Sequence, residues 1–457
     1  MRTLIIVAVL LMLFGCAQQV QEQTEYLGYS RGQVSFQYPD WSDAEKTDQN
    51  FLVKSNGSCV FGAAEYPILP SRMLKDILED EFDSRFDGEY IDFAVRSGDH
   101  DFDARARMFY CDYNTYTFTI ACIDELQEEG LLATAECDER DLDTKDKLGL
   151  IPLPPDEDIT MLADTFKQAR ADGADVLYWY FSWKDLDDNW TASDWVLEPM
   201  GHEGRIALVV EVIHTTVLGQ YPARYDSFTD PGFKEDFADF SVDFVERYQP
   251  EYYFIGNEVD IYFDMHRDEL NEYEELLSYT RDRIHQTSPG TKVGVVVTYH
   301  AALENNATDI IEELSDDVDI LGYTTYGHEA NFSFGNLSRG IDYLYAIEDV
   351  VPGKDFAIVE AGWSTSPMLD SSEDLQEEYA ETFFEYLEDT DAEFVNWFSL
   401  HDGVDCRKVA ESFLTHMPEM MEDEEFMEFF EEFICTLGIK HSDGTPKRAW
   451  SVWEENT

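Results

Sequence analysis

Apolar positions in this chain change texture part-way along. From about residue 148 onward, short runs dense in Val, Ile, Leu and aromatic residues recur at 148–153, 175–183, 205–214, 252–256, 292–299, 318–323, 356–360 and 394–400. Between them lie amphipathic stretches of helical period at 159–171, 234–248, 270–285, 304–314, 338–348 and 372–387, several opened by Ser, Asp or Asn and closed near Gly or Pro. Near-continuous apolar strands alternating with helices predict a parallel sheet buried on both faces, and eight such units predict a closed (β/α)8 barrel over 143–457. No glycine-rich nucleotide loop follows the first of these strands, which weighs against an open doubly wound sheet. The helical row Phe233, Phe237, Phe240 and Phe244 reads as core packing.

The preceding part, residues 25–142, has a different pattern. Strands are expected at 33–38, 59–63, 90–96, 104–111 and 116–123, with one helix at 71–86. The last strand is the clearest, because Tyr116, Phe118, Ile120 and Cys122 alternate with Thr117, Thr119 and Ala121 at the period of a half-buried strand. This predicts a small α+β domain ahead of the barrel. Its opening Phe36-Gln-Tyr-Pro-Asp-Trp41, with a helix before a run of strands, resembles the PsbP-like modules found on lipoproteins.

Residues 1–17 read as a targeting segment: Arg2 is followed by an apolar run from Leu4 to Phe14, too short for a membrane span. It ends in Leu13-Phe-Gly-Cys16, which resembles a lipobox, and the resemblance implies lipidation of Cys16; Phe14 departs from the usual small residue, which leaves ordinary secretion or a signal anchor as alternatives. Residues 18–24 form a polar tether, and the chain is expected outside the cell, anchored to the outer face of the membrane. Apart from Cys16, six of the seven cysteines remain for pairing: Cys59, Cys111, Cys122, Cys137, Cys406 and Cys435, with the connectivity of the first four open. Composition narrows the partners. Lys and Arg number 31 against 97 Asp and Glu, a formal charge of −66 spread through every segment, so a phosphate-binding basic surface is absent from the sequence and nucleic acid is excluded as a partner.

Two strand ends carry candidate chemistry. In Tyr252-Tyr-Phe-Ile-Gly-Asn-Glu258 an apolar strand delivers an amide and a carboxylate, and Asp355-Phe-Ala-Ile-Val-Glu360-Ala-Gly-Trp363 repeats the design. Counted along the chain, Glu258 follows the fourth strand and Glu360 ends the seventh, and active sites of such barrels lie at the C-terminal strand ends. An Asn-Glu pair after strand four and a glutamate ending strand seven resemble clan A of the glycoside hydrolases. Further matches are His214 at strand three, Tyr299-His300 at strand five, Gly322-Tyr323-Thr-Thr-Tyr326 at strand six, Asn396-Trp397-Phe-Ser-Leu-His401-Asp402 at strand eight, and the closing segment from Gly438 to Trp450. The pieces around Glu258 and Glu360 look like those of endo-β-1,4-galactanases, while mannanases, xylanases and glucanases share the same scaffold logic and stay open as alternatives.

The resemblance implies Glu258 as general acid and base and Glu360 as nucleophile of a retaining β-glycosidase, with no cofactor or metal. It implies that Asn257 holds the sugar 2-hydroxyl, that Tyr323 orients Glu360, and that Trp397 forms the floor. His214, Tyr299 and Tyr326 are expected as substrate contacts, and Trp179, Trp183 and Trp363 as further sugar platforms. The expected function is hydrolysis of an extracellular poly- or oligosaccharide; the alternative is a catalytically inactive carbohydrate-binding or cell-surface barrel. No Ser-His-Asp order, Cys-x-x-Cys or His-Glu-x-x-His stands out to support another enzyme class.

Overall fold

A computed structural model of the chain describes residues 26–31, 34–39, 42–43, 50–55, 59–67, 84–86, 90–97, 100–111, 114–122, 132, 136–137, 145–154, 162–186, 190, 193–194, 197, 205–215, 217–218, 220–329, 332–404, 406–413 and 421–457. The leader at 1–17, Cys16, the tether and most of the helix expected at 71–86 lie outside them. Among the described residues no helix is long and apolar enough to cross a membrane. The chain divides into two compact units, residues 1–141 with 191–203, and residues 142–190 with 204–457.

In the first unit an antiparallel sheet runs in the order Ser42–Asp43, Asn50–Ser55, Cys59–Pro67, Asn114–Cys122, His100–Cys111, Tyr90–Ser97, Ser84–Phe86. A second, three-stranded sheet joins Tyr26–Arg31, Val34–Pro39 and Glu136–Cys137. Phe36, Phe61 and Phe118 meet in its core, with the Phe36 and Phe118 centroids 4.8 Å apart. Cys59 stands directly opposite Cys122 in the sheet and is bonded to it, which settles that pairing. The strand expected to be half-buried is buried on both faces, since Thr117, Thr119 and Ala121 are covered as well.

The second unit is a closed barrel of eight parallel strands: β1 Lys145–Leu150, β2 Ala174–Ser182, β3 Arg205–His214, β4 Tyr252–Asn257, β5 Lys292–Thr298, β6 Ile320–Tyr326, β7 Asp355–Gly362 and β8 Val395–Trp397. Closure comes from β1 pairing with both β2 and β8 and from β2 pairing with β3. Around it lie α1 Leu162–Ala171, α2 Phe233–Tyr248, α3 Val259–Met265, α4 Leu270–Thr287, α5 Tyr299–Asn305, α6 Thr308–Ser315, α7 Leu337–Ala346, α8 Glu373–Asp389, α9 Cys406–Phe413, α10 Glu424–Cys435 and α11 Ala449–Asn456. The four phenylalanines of α2 are all buried. Where one helix is expected at 304–314, α5 and α6 form instead: Asn306, at φ 57°, takes the left-handed conformation that ends a helix, so Tyr299 and His300 open α5 rather than close a strand.

Alternate side chains of each strand fill the barrel interior, among them Val176, Val209, Tyr252, Phe254, Val296, Ile320, Ala357 and Val359. Phe254 has room because Gly294 faces it; a Cβ there would stand 2.7 Å from its ring and 2.6 Å from the Ile320 carbonyl oxygen. At the N-terminal end of the barrel the cations are spent on pairing: Lys292 Nζ donates to Glu393 and Asp355 at 2.6 and 2.9 Å, and Arg205 reaches Glu251 at 2.9 Å.

Candidate active site

Two departures from strand regularity aim the glutamates inward. On β7, Ala357 and Val359 face the interior, so plain alternation would send Glu360 out among the helices. The ladder with β6 skips a residue, however: Tyr323 pairs with Ile358, and Thr324 already pairs with Glu360. This two-for-one step is a β-bulge, and it turns Glu360 back to the interior face. On β4, Gly256 sits at φ +78° and Glu258 at φ 52°, both left-handed, which swings the Asn257-Glu258 pair over the barrel mouth.

Gly256 is confined as well as twisted. A Cβ added there would lie 2.5 Å from Tyr273 Oη, which donates to the Ile255 carbonyl at 2.8 Å, and 2.6 Å from Val259 Cγ1. Gly256→Ala is therefore expected to destabilise by roughly 2–4 kcal/mol, the sum of left-handed strain and overpacking. A lowered denaturant midpoint with an unchanged slope is the check; an unchanged midpoint would mean the turn relaxes freely.

Glu258 and Glu360 line one cavity of about 160 Å³ together with Asn257, His214, Thr215, Tyr180, Tyr326, Phe398, Phe430, Phe433, Ile434 and Leu437. That is close to the ~150 Å³ of a cavity that holds a single six-membered ring. Thr324 Oγ1 donates to Glu258 Oε1 at 2.7 Å and Thr215 Oγ1 to Oε2 at 3.1 Å, so the two carboxylate oxygens are pinned from β6 and from the end of β3. The Thr215 amide also donates to the Asn257 carbonyl at 2.8 Å, stitching the ends of β3 and β4 together. Glu360 Oε2 accepts from Tyr326 Oη at 2.7 Å. Asn257 Oδ1 is buried and has no hydrogen-bond partner among the described residues.

Burial pushes the Glu360 carboxyl up to about 8, and the nearby Glu258 charge pushes the same way, while the Tyr326 hydroxyl and His214 pull against both. For His214, burial alone would lower the imidazole, but Glu211, whose Oε1 lies 2.6 Å from Nδ1, prevails and raises it to about 9. The site thus carries an imidazolium and, near neutrality, a Glu360 carboxyl that burial keeps protonated. The Tyr326 phenol, raised far above its ordinary value by burial and by the Glu360 charge, stays a hydrogen-bond donor. Asp260 is fully buried behind Glu258, accepts from the Thr298 amide at 2.7 Å, and is raised to about 8 by burial; its place ties α3 to β5.

Of the residues expected at the site, the cavity brings together Glu258, Glu360, Asn257, His214 and Tyr326. The others lie elsewhere. Tyr323 faces outward, edge-on to Tyr299 and Phe356, because residues two apart on β6 share a face and Thr324 and Tyr326 have the inner one; the hydroxyl on Glu360 is that of Tyr326. Tyr299 packs between Tyr323 and Tyr343. Trp397 points away from the cavity onto Tyr379, Phe383 and Trp453, and the β8 aromatic at the cavity is the next residue, Phe398. Trp363 lies behind the wall against Phe334 and Tyr379, donating to Ser371 Oγ at 2.9 Å. Trp183 is buried against α2, on Phe233 and Phe237, and Trp179 stacks on Tyr180.

Sequence reasoning missed Thr215, Thr324, Glu211 and the whole of α10. The signal for α10 was present: Asp423 caps it by accepting from the Phe426 amide at 3.2 Å, and Phe426, Phe430, Phe433 and Ile434 follow at helical spacing between two cysteines. Cys406 and Cys435, 29 residues apart, are bonded, which fastens α10 over the cavity beside α9. A Cys406→Ser/Cys435→Ser variant is expected to lose about 3–4 kcal/mol of constraint from this loop, roughly as its closure entropy predicts. Because α10 is outside the barrel ladder, the loss is expected to appear as faster hydrogen exchange over Glu424–Cys435, with the main unfolding transition nearly in place; unchanged exchange there would show that α10 holds its position unaided.

Among the described residues no group of three or more His, Cys, Asp or Glu side chains is placed to hold a metal ion. No protein-family model matches the sequence, and no curated protein does. Solved structures do. A GH5_18 variant from Streptomyces cattleya in complex with Manβ1-4GlcNAc superposes with a TM-score of 0.50 at 16% identity, over 68% of this chain and 80% of that one. An exo-β-1,4-mannosidase from Opitutaceae bacterium strain TAV5 superposes with a TM-score of 0.50 at 14% identity, over 69% of this chain and 61% of that one. At such identities the likeness is one of architecture: the second unit of this chain has the (β/α)8 fold that these glycoside hydrolases share.

Proposed function

We propose that the chain is a retaining β-glycoside hydrolase acting on an extracellular poly- or oligosaccharide, with Glu258 as general acid and then base and Glu360 as nucleophile. One observation carries this reading: glutamates from β4 and β7 converge on a single cavity of about one-ring size, each braced by its own hydroxyl donors. In the first step a Glu360 oxygen bonds to the anomeric carbon as the glycosidic C–O bond breaks, and the departing oxygen takes a proton from Glu258. In the second step Glu258 removes a proton from water, the water oxygen bonds to the anomeric carbon, and Glu360 leaves. Retention by this route goes with carboxyl groups ~5 Å apart.

One proton per carboxyl pair is what this chemistry needs. Burial favours that proton on Glu360; positive charge growing on the anomeric carbon beside Glu360 favours its anion, and in this proposal the proton then sits on Glu258. The Tyr326 hydroxyl and the His214 imidazolium assist the anion. Asn257 Oδ1 gains in a sugar hydroxyl the partner it otherwise lacks. On the same reading the leader exports the chain, and lipid on Cys16 holds it at the outer membrane face.

The test is a panel of β-linked polysaccharides and aryl β-glycosides, followed by a 2-deoxy-2-fluoro glycoside of whichever sugar is cleaved. The expected result is release of reducing sugar and a stable adduct on the peptide carrying Glu360. Binding of glycans with no cleavage of any would replace this reading by that of an inactive carbohydrate-binding barrel.

A further inference from the structure

Strands four apart in a closed ring of eight lie across from each other, so β4 and β8 face one another over the cavity. The two sides differ in chemistry. From β3 and β4 come His214, Thr215, Asn257 and Glu258, all polar. From the segment after β8 come Phe398, Phe430, Phe433, Ile434 and Leu437, all apolar, and the nearby Tyr326 hydroxyl is already committed to Glu360 at 2.7 Å.

We infer that the sugar bound between the two glutamates is a pyranose without a polar exocyclic group, a pentopyranose or a 6-deoxyhexose; this rests on the glycosidase reading above. With the anomeric carbon at the glutamates and the adjoining hydroxyl toward Asn257, ring atom C5, which stands across the ring from C2, points at the apolar wall. A methyl group or bare C5 methylene fills that space. Among the described residues of that wall a 6-hydroxyl loses water and meets no polar side chain. Apolar pockets reject an added hydroxyl only moderately, so the preference is set at roughly 10- to 100-fold in kcat/KM.

Matched pairs read this directly: 4-nitrophenyl β-D-fucoside against β-D-galactoside, and β-D-xyloside against β-D-glucoside, each also measured for binding to the full chain by calorimetry. The expected result is that in every pair that is turned over the member lacking the 6-hydroxyl is favoured by at least 10-fold, and that Ile434→Ser, or Phe433→Leu should the first fold poorly, narrows the ratio. Cleavage with equal rates, with the hydroxylated member ahead, or with a ratio that neither variant changes would overturn the inference and leave the glycosidase reading standing. Neither cleavage nor binding of any of the four, nor of any glycan in the wider panel, would overturn both.

Discussion

Glu360→Gln is expected to abolish turnover and, at alkaline pH, to make the protein more stable. The second effect follows from linkage. The Glu360 carboxyl is raised from 4.5 to about 8 on folding. Below pH 4.5 it is protonated folded or unfolded and costs nothing; between 4.5 and 8 the unfolded chain gives up the proton that the folded chain keeps, so stability falls until the folded group ionises too. Glutamine has no such cost. Part of the gain is offset by the weaker hydrogen bond from Tyr326 and the lost attraction of His214, and part of the shift belongs to Glu258 as its partner, so the net is on the order of 2 kcal/mol. The difference in unfolding free energy between the variant and the parent should therefore be near zero or slightly negative at pH 4.5 and positive by about that amount at pH 8.5. A variant less stable at both pH values would show that the buried carboxyl is not strained in the folded state.

Glu258→Ala is expected to separate leaving groups. Loss of a general acid costs roughly 10²- to 10⁴-fold where the departing oxygen needs a proton, and little where it does not. Natural glycosides should suffer the full loss, whereas 2,4-dinitrophenyl glycosides should still form the glycosyl-enzyme and then stall, because no base remains to activate water. Azide should relieve the stall and give the β-glycosyl azide, since it enters where Glu258 stood. The Glu360→Ala variant should instead give the α-azide. Exchange of these two anomers between the variants, read by proton NMR, would reverse the roles of the glutamates without touching the fold.

Much of the second unit was legible in the pattern of apolar runs. The limits of β3 match residue for residue, and Glu258 follows β4 as counting placed it, while Glu360, expected to end β7, lies two residues inside it. What the pattern could not carry is phase at those ends. A strand buried on both faces shows no alternation, so nothing in Phe-Ala-Ile-Val-Glu360 marks the bulge that turns Glu360 inward, and nothing in Gly-Tyr-Thr-Thr-Tyr distinguishes Tyr326 from Tyr323. The same blindness put Trp397 at the cavity in place of Phe398, one residue on. The hydroxyls on Glu258 escaped because threonines at strand ends are unremarkable until strands from distant parts of the chain are neighbours. In the first unit, the short strands Asn50–Ser55 and Ser84–Phe86 were missed for lack of a sustained period, and the Cys59–Cys122 bond became visible only with the register.

The helix over the cavity has a consequence for how such a molecule can change. Apart from Phe398, its apolar wall is built from residues 430–437, on a segment tethered by a bond between Cys406 and Cys435. The proposed catalytic pair is carried by strands paired on both sides. On the proposed reading, bond cleavage and sugar choice therefore sit on separate parts of the chain: exchanging the stretch between the two cysteines re-cuts the keyhole while the lock's mechanism stays where it was.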